Sequence, residues 1–110
     1  MQFLIGCPGY SYREWNDTVY KAFRENRIVF CSVSFPGLPD HVIATSETLY
    51  YRFHGIPELY FSVYSEEKLK AISDNIQKEK QAKIVYCAFN NTGNLGAIDN
   101  AKWIRTYLNK

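Results

Sequence analysis

Arg52 and His54 stand two residues apart in the run Thr48-Leu49-Tyr50-Tyr51-Arg52-Phe53-His54-Gly55, whose aromatic content reads as a β-strand closed by a glycine. Side chains alternate across a strand, so Tyr50, Arg52 and His54 share one face while Leu49, Tyr51 and Phe53 share the other. A guanidinium binds carboxylate or phosphate and an imidazole titrates near neutrality, so the pair suits anion binding and general acid–base chemistry. His54 and Arg52 are therefore the candidate catalytic residues. The plainer alternative is an Arg and a His that hold a strand end or a subunit contact together. His41 has no comparable neighbours and reads as a surface loop residue.

The other polar candidates are fewer in kind. Asn90 and Asn91 follow the apolar run at residues 84–89, and alternation puts one of them beside His54 while the other turns toward a loop or caps the backbone. Tyr10, Tyr12 and Trp15 crowd a loop where they can stack on a ligand or close the core. Ser34 has no Gly-x-Ser-x-Gly elbow around it and no visible nucleophile partner. Thr92-Gly93-Asn94-Leu95-Gly96 precedes a helix start whose free N–H groups favour an anion, but two glycines are a weak signal and ordinary turn chemistry is the favoured reading. Two histidines and three dispersed thiols give no metal-ligand spacing, and no cofactor motif is present.

Placing these residues requires a scaffold, and its elements alternate. Residues 3–6 form a short apolar strand ended by Cys7-Pro8-Gly9. A helix is expected from an Asn16 or Asp17 cap, with Val19, Ala22 and Phe23 inward. Residues 28–33 and 84–89 read as strands buried on both faces, and residues 40–47 as a connection with at most one helical turn. The aromatic stretch at residues 55–64 reads as a long loop that folds back as a lid or packs on the surface. Ser65 caps the clearest helix, with Glu66 and Glu67 in its first turn and Leu69, Ile72 and Ile76 as its apolar stripe. Lys78-Glu79-Lys80-Gln81 is its solvated end. The last helix points Ile98, Ala101, Ile104 and Leu108 inward.

The order β-α-β-loop-β-α-β-α implies an α/β fold with a mainly parallel four-stranded sheet and about three helices. Three helices cannot cover both faces, and leaving about 400 Å² of apolar sheet bare would forgo roughly 10 kcal/mol. A second copy is the simplest cover, so a homodimer is expected. A chain of 110 residues is one domain with a real core, and 16% aromatic content with 22% charged residues excludes a disordered chain. A net charge of +2 spread along the chain predicts no nucleic-acid binding, and the Tyr50–Phe53 run lacks the Gly-aromatic pattern of RNA-binding strands. No apolar run approaches a membrane span, Met1 to Gly6 lacks signal-peptide character, and the odd, scattered cysteines fit buried thiols, so a cytoplasmic location is expected.

Taken together, Ile5-Gly6-Cys7-Pro8-Gly9-Tyr10-Ser11-Tyr12-x-x-Trp15, Ser34-Phe35-Pro36, Tyr51-Arg52-Phe53-His54-Gly55 and Phe89-Asn90-Asn91 resemble the YecE-like family, also called domain of unknown function 72. The resemblance implies a TIM-barrel-like fold of roughly twice this length. It also implies an internal deletion: residues 1–15 resemble the family's first strand and loop and residues 16–110 its C-terminal part, whereas the central strands, one with an acidic residue near the barrel mouth, have no counterpart. Tyr10 stands where the family has Trp. The chain then forms a partial TIM-barrel-like unit that dimerisation would complete. By the same resemblance the mouth holds Arg52 and His54 with Tyr10, Tyr12, Trp15, Ser34, Asn90 and Asn91 as ligand-binding residues, and a small polar or anionic molecule as ligand. No reaction follows, because the family is uncharacterised; the alternative is a non-catalytic remnant whose polar strand ends serve self-association.

Overall fold

The computed structural model describes residues 6–8, 15 and 18–110. Three six-residue strands, β2 (Val29–Ser34), β3 (Thr48–Phe53) and β4 (Ile84–Phe89), form the body of a parallel sheet. Gly6–Pro8 adds a three-residue strand, β1, parallel to β2 at the far edge, so the order is β1-β2-β3-β4. The registers place Cys31, Tyr50 and Tyr86 in one row across the sheet, and Val33, Arg52 and Ala88 in the next.

Among the described residues there are three helices, α1 (Val19–Glu25), α2 (Glu66–Lys78) and α3 (Gly96–Leu108). All three sit on the face that carries Phe30, Leu49, Tyr51 and Phe53. Tyr20 and Phe23 of α1 meet Phe30 edge-on, while Leu69, Ile72 and Ile76 of α2 and Ile104 of α3 join Leu49, Tyr51 and Phe53 in the main core. Ser65 caps α2 by accepting a hydrogen bond from the Lys68 N–H at 3.1 Å. None of the described helices is long and apolar enough to cross a membrane.

The connection from β2 to β3 contains no helical turn. Its backbone is tied down by side chains instead: Ser32 Oγ accepts the Ile43 N–H at 3.0 Å, and Thr45 Oγ1 accepts the Phe30 N–H at 3.0 Å while donating to the Ile28 carbonyl. This lets Ala44 enter the core directly. Prolines at 36 and 39 and the left-handed Gly37 keep the preceding residues out of helix.

Four expectations are corrected. Ala22 of α1 is not inward but exposed, and Tyr20 takes the buried position. Cys7 and Pro8 do not end the first strand but lie within β1. Ile98 is not inward but 54% exposed, because the buried line of α3 runs through Ala97, Asn100 and Ile104. That rotation places a polar side chain, Asn100, where periodicity alone would put an aliphatic one. Residues 84–89 are likewise not buried on both faces: Ile84, Val85 and Tyr86 are all exposed. β4 is the edge of the sheet, and no described element lies beyond it. Exposure rises steadily along the Cys31–Tyr50–Tyr86 row, from 6% at Cys31 through half-buried Tyr50 to 49% at Tyr86. The open part of the helix-free face is therefore concentrated at β4.

The rotation of α3 is tested by paired truncations. Ile104→Ala, in the core, should cost about 2–4 kcal/mol in urea denaturation, whereas Ile98→Ala should stay within about 0.5 kcal/mol of the parent. Equal effects would contradict the placement of this helix.

Candidate functional site

The strand that carries Arg52 ends at His54, whose N–H donates to the Ser34 carbonyl at 2.9 Å, extending the β2–β3 ladder by one residue. On the next strand the Asn90 N–H donates to the Phe53 carbonyl at 2.9 Å. These two bonds bring Arg52, His54 and Asn90 together at the C-terminal ends of neighbouring strands. Phe35 and Tyr60 stand edge-on to the imidazole, with ring centroids 5.6 and 6.2 Å away. Arg52 Nε, His54 Nδ1 and Asn90 Oδ1 are all buried without a hydrogen-bond partner among the described residues.

Burial is the largest influence on His54 and lowers its pKa below the ordinary 6.5; the Arg52 charge lowers it further. Asn90 opposes both through its side chain, although the two groups do not close a hydrogen bond of normal geometry. His54 is thus neutral at pH 7, able to accept a proton or to donate one hydrogen bond. Cys31 and Cys87 are free, and burial raises both thiols, Cys87 to about 11, so neither is a thiolate nucleophile at neutral pH. No cluster of three His, Cys, Asp or Glu side chains suited to a metal ion occurs among the described residues.

Residues 55–64 wrap behind the imidazole in a fixed course. Gly55 has φ +101°, and a Cβ there would meet the Glu58 carbonyl oxygen at 2.9 Å, so only glycine makes this turn. Tyr60, itself at φ 64°, donates its N–H to the His54 carbonyl at 2.6 Å and accepts the Gly93 N–H at 2.8 Å. Asn91 Nδ2 donates to the Ser62 carbonyl at 2.9 Å, and Asn94 Nδ2 to that of Phe61 at 2.9 Å. Asn100 closes the far end by pairing both backbone groups of Tyr64, accepting its N–H at 2.9 Å and donating to its carbonyl at 3.0 Å. The Tyr64 hydroxyl then donates to Ser34 Oγ at 2.8 Å and accepts the Gly55 N–H at 2.9 Å.

The sequence-derived candidates separate in space. Arg52, His54 and Asn90 are brought together. Ser34 is wholly buried on the helix side, bonded to Tyr64, and Asn91 is wholly buried beneath the loop with its own Oδ1 unpartnered. Trp15 packs edge-on against Tyr20 at 6.0 Å. Tyr10 and Tyr12 lie outside the described residues, as do Asn16 and Asp17. In the Thr92–Gly96 turn both glycine N–H groups are already used: that of Gly93 goes to the Tyr60 carbonyl and that of Gly96 to Asn94 Oδ1 at 2.7 Å. Sequence reasoning missed Phe35, Tyr60, Tyr64 and Asn100. For Asn100 a signal existed, since it falls in helical register with Ala97 and Ile104.

A family model described as a protein of unknown function, DUF72, matches residues 20–110. A crystal structure of a DUF72 family protein from Thermotoga maritima MSB8 is similar at 29% identity and a TM-score of 0.76, over 92% of this chain and 43% of that one. Another, from Enterococcus faecalis V583, is similar in fold at 19% identity and a TM-score of 0.83, over 98% of this chain and 48% of that one. The chain thus spans less than half the length of either. No curated protein matches the chain.

Two measurements test the geometry. Asn100→Leu leaves the Tyr64 N–H and carbonyl buried without partners and should cost about 2–5 kcal/mol in chemical denaturation. For His54 the folded pKa lies below the unfolded one, so its contribution is present above about pH 6.5 and lost as pH falls through the folded value. The melting temperature should therefore drop more steeply below about pH 6.5 in the parent than in His54→Gln, and parallel curves would show that the imidazole is not depressed.

Proposed function

Since the chain belongs to the DUF72 family, whose function is unknown, we propose from its own geometry that it binds a small anion at the C-terminal ends of β3 and β4, at Arg52, His54 and Asn90. In the same reading the chain is a partial TIM-barrel-like unit, with residues 1–15 as its opening strand and loop and residues 16–110 as the remainder. The observation that carries the ligand assignment is that Arg52 Nε, His54 Nδ1 and Asn90 Oδ1, on neighbouring strand ends, are all buried with no partner among the described residues. Each such atom costs roughly 1–3 kcal/mol unless something pairs with it.

One class of ligand satisfies all three atoms. An anionic oxygen accepts from the guanidinium, a second oxygen accepts from the imidazole N–H, and a hydroxyl donates to the Asn90 carbonyl oxygen. A small hydroxy acid or a phosphate ester carries these groups. A neutral imidazole beside a guanidinium can also remove a proton from such a hydroxyl, with Arg52 holding the charge in place. Phe35 and Tyr60 limit the space around the imidazole and favour a small molecule.

A second reading is favoured by the exposed Ile84, Val85 and Tyr86: the polar strand ends belong to a self-association surface and bind no ligand. Titration separates the two. Calorimetry with inorganic phosphate and with glycolate should give saturable binding that Arg52→Gln weakens at least tenfold and His54→Ala reduces, with melting temperatures held within a few degrees. Absence of binding together with a loss of stability in both variants would favour the second reading.

A further inference from the structure

The exposed edge of β4 has features that a finished sheet does not. Ile84, Val85 and Tyr86 are consecutive, so both faces of the strand are open there, not only the helix-free one. On the helix side a groove of about 650 Å³ runs along the strand, with Ile76, Val85, Phe89, Ile104 and Leu108 in its lining. The backbone is open as well. The Ile84 N–H donates to the Glu47 carbonyl at 3.0 Å and the Asn90 N–H to that of Phe53 at 2.9 Å, so even-numbered residues face β3. Alternation then turns the N–H and carbonyl groups of Val85, Cys87 and Phe89 toward the free edge. A six-residue parallel strand with apolar side chains and unpaired backbone groups is a template for another strand.

We propose that this edge is completed by a second copy of the chain, with β4 of each copy pairing in parallel with β1 of the other. The sheet dictates this arrangement more than its apolar surface does. Its strands all run one way, so the two edges that are free among the described residues, at β1 and β4, differ. A twofold axis along the strand direction brings β4 against the partner's β1 and, by the same operation, β1 against the partner's β4. All four edges are then paired and none remains to propagate. Two sheets of this order contain eight parallel strands, the number at which a closed barrel is filled by its own side chains. The inward rows would hold Val33, Tyr50, Ile84, Tyr86 and Ala88, which are apolar or aromatic, with Arg52 toward the strand ends.

A twofold perpendicular to the strands would instead pair β4 with itself, antiparallel, and leave both β1 edges and the open face uncovered. The inference does not depend on whether Arg52 and His54 bind an anion.

The experiment is sedimentation velocity at micromolar concentration combined with residue-resolved hydrogen exchange. The expected species has twice the 12.8 kDa chain mass, with slow exchange at the Val85, Cys87 and Phe89 amides. Slow exchange is also expected at both Gly6 and Cys7, since adjacent residues of β1 face opposite sides and need a neighbour on each. Val85→Pro removes an outward-facing N–H without touching the β3 ladder and should give a folded monomer in which those edge amides exchange rapidly. Tyr86→Arg, which leaves the backbone intact, should do the same if the proline variant fails to fold. A monomeric parent, a dimer that survives both substitutions, an open-ended polymer, or protection of only one of the Gly6 and Cys7 amides would each overturn the proposal.

Discussion

Tyr64 is held at both ends, and most of the candidate site depends on it. Its backbone N–H and carbonyl are paired by a single Asn100 amide, as a neighbouring strand would pair them, and its hydroxyl joins Ser34 Oγ to the Gly55 N–H. Its ring stands edge-on to Phe53 at 5.3 Å within the core. One residue therefore connects the ends of β2 and β3, the start of α2 through the adjacent Ser65 cap, and the buried line of α3. Because Gly55 directly follows His54, fixing the Gly55 N–H also fixes the backbone that carries the imidazole. Asn91 extends the network by donating to Asn100 Oδ1 at 3.2 Å, which adds the end of β4.

From that anchor the two faces of β3 acquire different fates. Leu49, Tyr51 and Phe53 are fully buried under the helices, with Phe53 stacked on Phe89 at 4.3 Å. Tyr50, Arg52 and His54 look the other way, where no described helix lies. Tyr51 shows the cost of the dense side: its hydroxyl is buried without a partner and its pKa is driven far upward by burial. That hydroxyl is surrounded by core and takes no part in the site. The unpaired atoms of Arg52, His54 and Asn90 differ because they sit toward the C-terminal ends of β3 and β4, beside the helix-free face.

Much of this was legible in the sequence, and the exceptions have physical causes. The parity of residues 48–54 and the capped helix from Ser65 follow from side-chain alternation and local hydrogen bonding, which operate within a few residues. The Asn90–Asn91 pair could be read only as a division of labour, because which asparagine faced His54 depended on β3–β4 register. Three features depend on distant partners. Asn100 is turned inward by Tyr64, 36 residues away. The β2–β3 connection needs no helix because Ser32 and Thr45 tie its backbone. β4 looks like a buried strand by composition, yet among the described residues it is the edge of the sheet and its first three side chains are exposed.

The unpaired polar atoms and the unpaired strand edge are linked by dielectric. The row containing Arg52 continues to Ala88 on β4, so whatever covers β4 also lies over the approach to the guanidinium. Covering that face removes water from around Arg52, which raises the cost of leaving Nε unpaired and strengthens its hold on an anion. An anion at Arg52 conversely lowers the cost of excluding water there. If the strand ends bind an anion and the β4 edge is closed, each would favour the other, with a coupling of the same magnitude in both directions by thermodynamic reciprocity. The same coupling also depresses the imidazole: any cover that excludes water from His54 without adding a negative charge pushes its pKa below the value set by burial and Arg52 alone. A bound anion would raise it again, so the protonation of His54 would distinguish a filled site from an empty one.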